Sequence, residues 1–268
     1  MVYITGDIHG DPRDLLRFSE AHSLTADDTI IILGDTGFNF YLHGRDRKAK
    51  KLAARIPATL LCIHGNHEAR PQSLPELYHE EQRFGGAVMT EDAFPNILFA
   101  VDGEIYDIEG FSTIAIGGAY SIDAQRRREN GIPWFPDEQP SAQTKQRAER
   151  VLSERSWKVD VVLSHTCPAK YTPTETYFPG IDQSKVDKST ENWLDTIEDR
   201  LTYQRWYCGH WHINKHIDRI DFLFGDVEEF AAGLKHWSSA TSITGRPSAH
   251  ASVGEEALFC SKSRVISP

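Results

Sequence analysis

The chain has 268 residues, 40% hydrophobic and 25% charged, with a formal net charge of −10 from 29 basic and 39 acidic side chains. That length can bury a full core in one α/β domain, and the acidic balance argues against a protein that coats nucleic acid nonspecifically through a basic face. No apolar run approaches the roughly 18 residues a membrane span needs, and Met1 leads straight into Val2-Tyr3-Ile4-Thr5 with no secretory leader pattern, so a cytoplasmic, membrane-free protein is expected.

Up to Glu68 the chain repeats one pattern: an apolar β-branched run, a Gly-containing polar loop, then an amphipathic segment. The runs are Val2–Thr5, Thr29–Leu33 and Thr59–Ile63, uninterrupted as in strands buried on both faces. Asp11-Pro12 predicts a helix N-cap followed by proline at the first helical position, and Leu15, Leu16, Phe18 and Ala21 supply an apolar face. A right-handed βαβαβ unit is expected. Farther on, Ile97–Val101, Glu104–Ile108 and Thr113–Ile116 predict an antiparallel meander with turns at Asp102-Gly103 and Glu109-Gly110. Helices are predicted over Ser141–Arg155 and Thr190–Leu201, and strands over Val159–Leu163, Arg205–Cys208 and Ile217–Phe224. Two long irregular segments, Asn130–Pro140 and Pro168–Lys188, are candidates for a substrate rim. From about Ala231 the composition shifts to Ser, Ala and Gly, so residues 1–230 are expected to form the catalytic domain and 231–268 an accessory C-terminal tail.

Cys62, Cys167, Cys208 and Cys260 form no Cys-x-x-Cys pair, which points to reduced thiols rather than a zinc ribbon or a redox motif. They also hold no cysteine nucleophile of the phosphatase type, because Glu68, Pro173 and Asn214 stand where its arginine would follow Cys62, Cys167 and Cys208. A phosphate-cradling Gly-x-x-x-x-Gly-Lys-Ser/Thr loop is likewise absent from the sequence.

The strand ends carry the chemistry. Gly6-Asp7-Ile8-His9-Gly10, Gly34-Asp35-Thr36-Gly37 and Gly65-Asn66-His67-Glu68 close the first three strands, Ser164-His165 closes Val159–Leu163, and Gly209-His210-Trp211-His212 follows Arg205–Cys208. In an open α/β sheet the carboxyl ends of parallel strands converge on one crevice, so these distant clusters are predicted to meet. A lone Gly-Asp is usually a turn and a lone strand-end histidine usually structural; the conjunction overrides both. Two carboxylates, an amide oxygen and several imidazoles form a mixed N/O set that suits manganese, iron or zinc better than calcium or magnesium.

This ordered series of motifs resembles the calcineurin-like metallophosphoesterase superfamily over roughly residues 2–228. The resemblance implies an α/β fold, a sandwich of two mainly mixed β-sheets flanked by helices with the metal site at the strand C-terminal ends. It further implies two divalent metal ions, manganese first with iron or zinc as alternatives: one on Asp7, His9, Asp35 and His212, the other on Asp35, Asn66, His165 and His210, with Asp35 as bridge. The expected reaction is hydrolysis of a phosphomonoester or phosphodiester, small molecule or nucleotide, by attack of a hydroxide bridging the two ions. His67 is similar to the family's catalytic histidine and is expected to serve the leaving oxygen. Arg126 and Arg70 are candidates to bind the substrate phosphate. Gly117-Gly118-Ala119-Tyr120-Ser121, Arg126, Trp134, Glu138 and Val159-Asp160 further resemble a bacterial and phage branch of uncharacterised members.

Serine/threonine protein phosphatases and dinucleoside polyphosphate hydrolases share the first and third blocks, but Phe38, Asn39 and Phe40 stand where they carry Asp-Arg-Gly. That puts those readings in doubt and removes the Asp that would orient His67. A protein-binding scaffold on the same fold is the alternative outside the enzyme class, and the complete ligand set argues against it.

Overall fold

The three apolar runs near the N-terminus become parallel neighbours, β1 (Val2–Thr5), β2 (Thr29–Ile32) and β3 (Thr59–Cys62), with Ile4 opposite Ile31 and Ile31 opposite Leu61. The computed structural model describes residues 1–237, and Met1–His236 form one unit. The crossovers are helices α1 (Arg13–His22) and α2 (Gly44–Ala53), so the expected βαβαβ unit forms. Pro12, rather than Asp11, occupies the cap of α1; the Asp11 carboxylate instead accepts the Arg13 backbone N–H and pairs with the Arg13 guanidinium.

The expected meander is corrected. Between β3 and residue 97 lie two strands that sequence reading missed, β4 (His79–Arg83) and β5 (Gly86–Thr90). β4 is an exposed edge strand of charged residues with no apolar alternation, which is why it left no periodic signal. β6 (Ile97–Ala100) pairs antiparallel with β5 and parallel with β3. β7 (Ile105–Ile108) and β8 (Phe111–Ile116) form a hairpin in the other sheet. Asp102-Gly103 forms the expected turn, the Glu104 N–H donating to the Val101 carbonyl at 3.1 Å, but this turn carries the chain from one sheet to the other, and buried Asp102 also accepts the Gly117 N–H at 2.7 Å.

The second sheet continues with β9 (Val161–Ser164) and β10 (Arg205–Cys208), both parallel to β8, after helices α3 (Ala124–Glu129), α4 (Ala142–Glu154) and α5 (Ser189–Glu198). Ser141 caps α4, its hydroxyl accepting the Thr144 N–H. The strand expected over Ile217–Phe224 is instead a hairpin, β11 (Lys215–Ile217) and β12 (Ile220–Phe222), because Asp218, at φ 59°, turns the chain. β13 (Val227–Glu229) returns to pair with β1.

The result is the expected sandwich of two mixed sheets, one of seven strands (β13-β1-β2-β3-β6-β5-β4) and one of six (β11-β12-β10-β9-β8-β7). Strand alternation sorts the core into layers. Ile31, Leu33, Leu61 and Leu98 face Ala115, Val161, Leu163 and Tyr207 between the sheets. Ile30, Ile32 and Leu60 face outward onto Leu15 of α1 and Ala53 of α2, while Ile114, Ile116 and Val162 meet Ala148 and Leu152 of α4 and Leu194 and Ile197 of α5. Phe230 and Ala231 pack into the inter-sheet layer. From residue 238 on, the expected tail, including Cys260, lies outside the described residues.

Candidate metal centre

β1, β2 and β3 in one sheet and β9 and β10 in the other end at the same place, bringing Asp7, His9, Asp35, Asn66, His67, His165, His210 and His212 together. His9 Nε2 and His212 Nε2 are 3.0 Å apart, and both approach Asp7 Oδ2, at 3.8 and 3.2 Å. Asn66 Oδ1 lies 2.8 Å from His165 Nε2 and 3.1 Å from His210 Nδ1, while Asp35 Oδ1 is 3.6 Å from the same His165 nitrogen. Ligand atoms of Asp7, His9 and His212 lie within 4.8 Å of one another, as do those of Asp7, Asp35 and His165, and of His9, Asp35 and His67.

The donor set fits divalent cations. Asp7 Oδ2 is buried without an aligned hydrogen-bond donor although His212 stands beside it, and such an orphaned carboxylate oxygen is costly unless something positive meets it. Asp7 and Asp35 are both buried. Burial alone would raise Asp7, but the imidazoles of His212 and His165 outweigh it and hold the carboxyl at about 2. Burial lifts Asp35, His165 opposes, and the negative charge of Asp7 adds to the rise, leaving it at about 6. Two carboxylates in one dry pocket cannot both ionise comfortably without a cation between them. His165 donates from Nδ1 to the Leu33 carbonyl, at 2.7 Å, which leaves the Nε2 lone pair available to a cation.

Backbone conformation supports the same reading. His9, Asp35, His210 and His212 have φ of 46°, 45°, 64° and 50°, a region that non-glycine residues seldom adopt. Each costs on the order of 1 kcal/mol or more, and such strain clusters at functional sites. Two glycines are dictated by close approach: a Cβ on Gly65 would sit 2.0 Å from Asp35 Oδ1, and one on Gly209 would sit 2.3 Å from Asp7 Oδ1. The flanking glycines are therefore there to let the carboxylates come close.

Residues around the candidate ligands hold them in place, and sequence reading gave several of these no role. Glu68 is fully buried and accepts the Gly65 N–H at 3.1 Å and the Thr36 hydroxyl, tying the β2 and β3 loops together; burial, with Asp35 next, lifts its carboxyl to about 7. Asn66 donates from Nδ2 to Ser121 Oγ at 2.8 Å, which aims Oδ1 at the two imidazoles, and Glu138 accepts the Ser121 N–H at 3.0 Å. The only sequence signal for these contacts was the Gly117–Ser121 and Glu138 pattern itself.

Of the arginines, Arg127 and not Arg126 touches the expected catalytic histidine. Arg127 Nη2 is 2.8 Å from His67 Nδ1, its Nε donates to Asp123 at 2.7 Å, and its guanidinium carbon stands 5.5 Å over the Phe40 ring. Burial, then the positive charge of Arg127, pulls the His67 imidazole down to about 3. Arg126 is exposed on the rim and pairs with Asp123. Arg70 points elsewhere, donating to Asp102 and to the Asp137 carbonyl.

Two cavities open onto the centre. One, of about 300 Å³, is lined by His9, Phe40, Tyr41, Arg45 and His67. The other, of about 650 Å³, is lined by Asn66, His67, His210 and Trp211 and by Tyr177 and Phe178 of the Pro168–Lys188 segment, one of the two expected substrate rims.

The family model for calcineurin-like phosphoesterases matches residues 1–214. No curated protein matches the chain at a significant level. Solved structures similar to it include the phosphopantetheinyl hydrolase PptH from Mycobacterium tuberculosis, at 15% identity over 83% of this chain and 87% of that one, TM-score 0.45. TT1561 of Thermus thermophilus is 13% identical over 83% and 87%, TM-score 0.46. The protein of unknown function AQ665 from Aquifex aeolicus is 15% identical over 62% and 80%, TM-score 0.29.

Proposed function

The chain belongs to the calcineurin-like phosphoesterase family of metal-dependent hydrolases, and on that premise we propose that it cleaves phosphomonoesters or phosphodiesters, of a small molecule or nucleotide, at a centre of two divalent ions. One ion would be held by Asp7, His9, Asp35 and His212, the other by Asp35, Asn66, His165 and His210; manganese suits this nitrogen and oxygen set, with iron or zinc as alternatives. When bound, the pair would supply a nucleophile at neutral pH and offset the charge that builds on the phosphoryl oxygens.

The chain's own groups do the rest. His67, half-buried beside Asn66 and kept uncharged by burial and Arg127, would stabilise the charge on a leaving oxygen through a hydrogen bond from its ring N–H. Arg127, held by Asp123, presents a guanidinium to the same place and supplies the phosphate-binding charge that the Phe38–Phe40 segment lacks. Phe38 is fully buried and the Asn39 amide is engaged by Ala69 and Tyr78, so neither replaces the missing Asp-Arg pair of the protein phosphatases. No described helix is long and apolar enough to cross a membrane. Cys62, Cys167 and Cys208 are free and buried, which suits a reducing cytoplasm.

The observation that carries this reading is the convergence of strand ends from both sheets around the undonated Asp7 Oδ2. The test is hydrolysis of p-nitrophenyl phosphate and bis-p-nitrophenyl phosphate by Mn²⁺-loaded protein, beside His67→Ala and Asp35→Asn. Metal-dependent turnover lost in both variants is the expected result. Turnover that survives Asp35→Asn and full chelation would overturn it.

A further inference from the structure

We infer that the substrate is a phosphodiester with two organic groups: a small planar one seated against Phe40, Tyr41 and Arg45, and a larger apolar or aromatic one seated against Tyr177, Phe178 and Trp211. This rests on the phosphoesterase reading and goes beyond it. His67 is the residue common to the linings of both cavities. The proposed metal ligands in the linings divide between the cavities, His9 with the smaller, Asp35, Asn66, His210 and His212 with the larger. A phosphorus over the centre thus has a cavity reached from each side of His67.

Each cavity offers apolar surface to an organic group, the larger one predominantly so, while the smaller sets Phe40 and Tyr41 beside polar Arg45 and His9. Among the described residues, nine large hydrophobic side chains are exposed, and four of them line these two cavities: Tyr41 at 38%, Ile122 at 39%, Phe178 at 65% and Ile181 at 38%. Apolar surface gathered round a polar centre marks a binding site. The smaller cavity is held in shape: buried Asp46 accepts the backbone N–H groups of Tyr41 at 3.1 Å and Leu42 at 2.7 Å, and Arg45 stands 4.7 Å over the Tyr41 ring. The larger has two aromatic faces, Tyr177 and Trp211, with ring centroids 6.3 Å apart, and Lys188 Nζ 5.4 Å from the Tyr177 ring. The volumes, about 300 and 650 Å³, set the size order of the two groups. A monoester would leave one of the cavities unfilled.

In the reaction, the oxygen of water bonds to phosphorus, the bond from phosphorus to one ester oxygen breaks, and that oxygen takes up a proton. A monoester and an alcohol or phenol result.

The experiment compares kcat/KM of the Mn²⁺-loaded protein on bis-p-nitrophenyl phosphate, methyl p-nitrophenyl phosphate and p-nitrophenyl phosphate, with Tyr41→Ala and Phe178→Ala, both surface positions. The two-armed diester should exceed the methyl diester and the monoester by about tenfold or more, the usual worth of filling an apolar pocket. Each variant should lower the two-armed diester by about tenfold, through KM, and the methyl diester by less. Equal rates on the two diesters, preference for the monoester, or a two-armed preference untouched by both variants would overturn the inference while leaving the phosphoesterase standing. If none of these model esters is turned over, calorimetry of the Mn²⁺-loaded protein with diphenyl phosphate decides the inference: binding weakened by both variants supports the two-armed site, and no binding sinks it.

Discussion

Arg127 Nη2 lies 2.8 Å from His67 Nδ1 and 3.0 Å from its Nε2, so a guanidinium stands closer to the histidine that follows Asn66 than the Asp35 carboxylate does, at 3.9 Å. Asp123 holds that guanidinium from the far side. Arg127→Gln and Arg127→Lys are expected to lower kcat by roughly 10- to 100-fold, since a single ammonium cannot reproduce the planar two-point contact. Metal content, measured by elemental analysis, should not change. Loss of a metal ion in Arg127→Lys would instead make Arg127 a support for the ligands.

Asp35→Asn should act in opposite directions with and without metal. In the metal-free protein it removes one of two buried carboxylates that repel each other, and thermal unfolding should occur several degrees higher, about 1 kcal/mol or more. With Mn²⁺ the wild type gains stability by binding to the folded state, and the variant should lose most of that gain. A wild type that unfolds at the same temperature with and without Mn²⁺ would contradict this.

Removing a ligand and removing a thiol should separate cleanly. His210→Ala, which takes away an imidazole 3.1 Å from Asn66 Oδ1, is expected to lose one metal equivalent and nearly all turnover. Cys167, with its thiol pushed up by burial and Glu191, is not a nucleophile, so Cys167→Ala should keep turnover within a few-fold.

Gly209→Ala tests the close approach. Its Cβ would fall 2.3 Å from Asp7 Oδ1, so the strand end must shift, at about 1–3 kcal/mol. Circular dichroism melts should show that loss together with weaker metal binding. Unchanged values on both counts would mean that the loop moves freely.

Glu191, which lines the larger cavity but is no part of the donor set, gives a pH dependence. It is buried, accepts the Thr166 hydroxyl at 2.9 Å, and burial raises its carboxyl above the ordinary range. A folded-state value above the unfolded one means that stability is fullest below the unfolded value and is lost as pH rises through the folded one. Glu191→Gln keeps the acceptor oxygen and removes the ionisation. The melting-temperature difference, variant minus wild type, should therefore grow from pH 4 to pH 8; a constant difference would refute the assignment.

Much of the centre was legible in the residues because ligation needs few side-chain types, and β-branched runs ending in glycine announce where they sit. Asp7, His9, Asp35, Asn66, His67, His165, His210 and His212 could be selected from strand ends alone, as could the helices with clear apolar periodicity. β4 could not, since an exposed strand of charged residues has no burial to imprint a pattern. Nor could the passage of the chain between sheets at Asp102, which depends on a hydrogen bond to Gly117, far along the sequence. The choice of Arg127 over its neighbour Arg126 turned on the rotation of one short helix, which places Arg127 against His67 and leaves Arg126 on the rim. Local sequence determined which groups could do the chemistry; packing of the two sheets decided which of them touch and which cavities flank them, because those distances are set by residues hundreds of positions apart, as with Asp7 and His210.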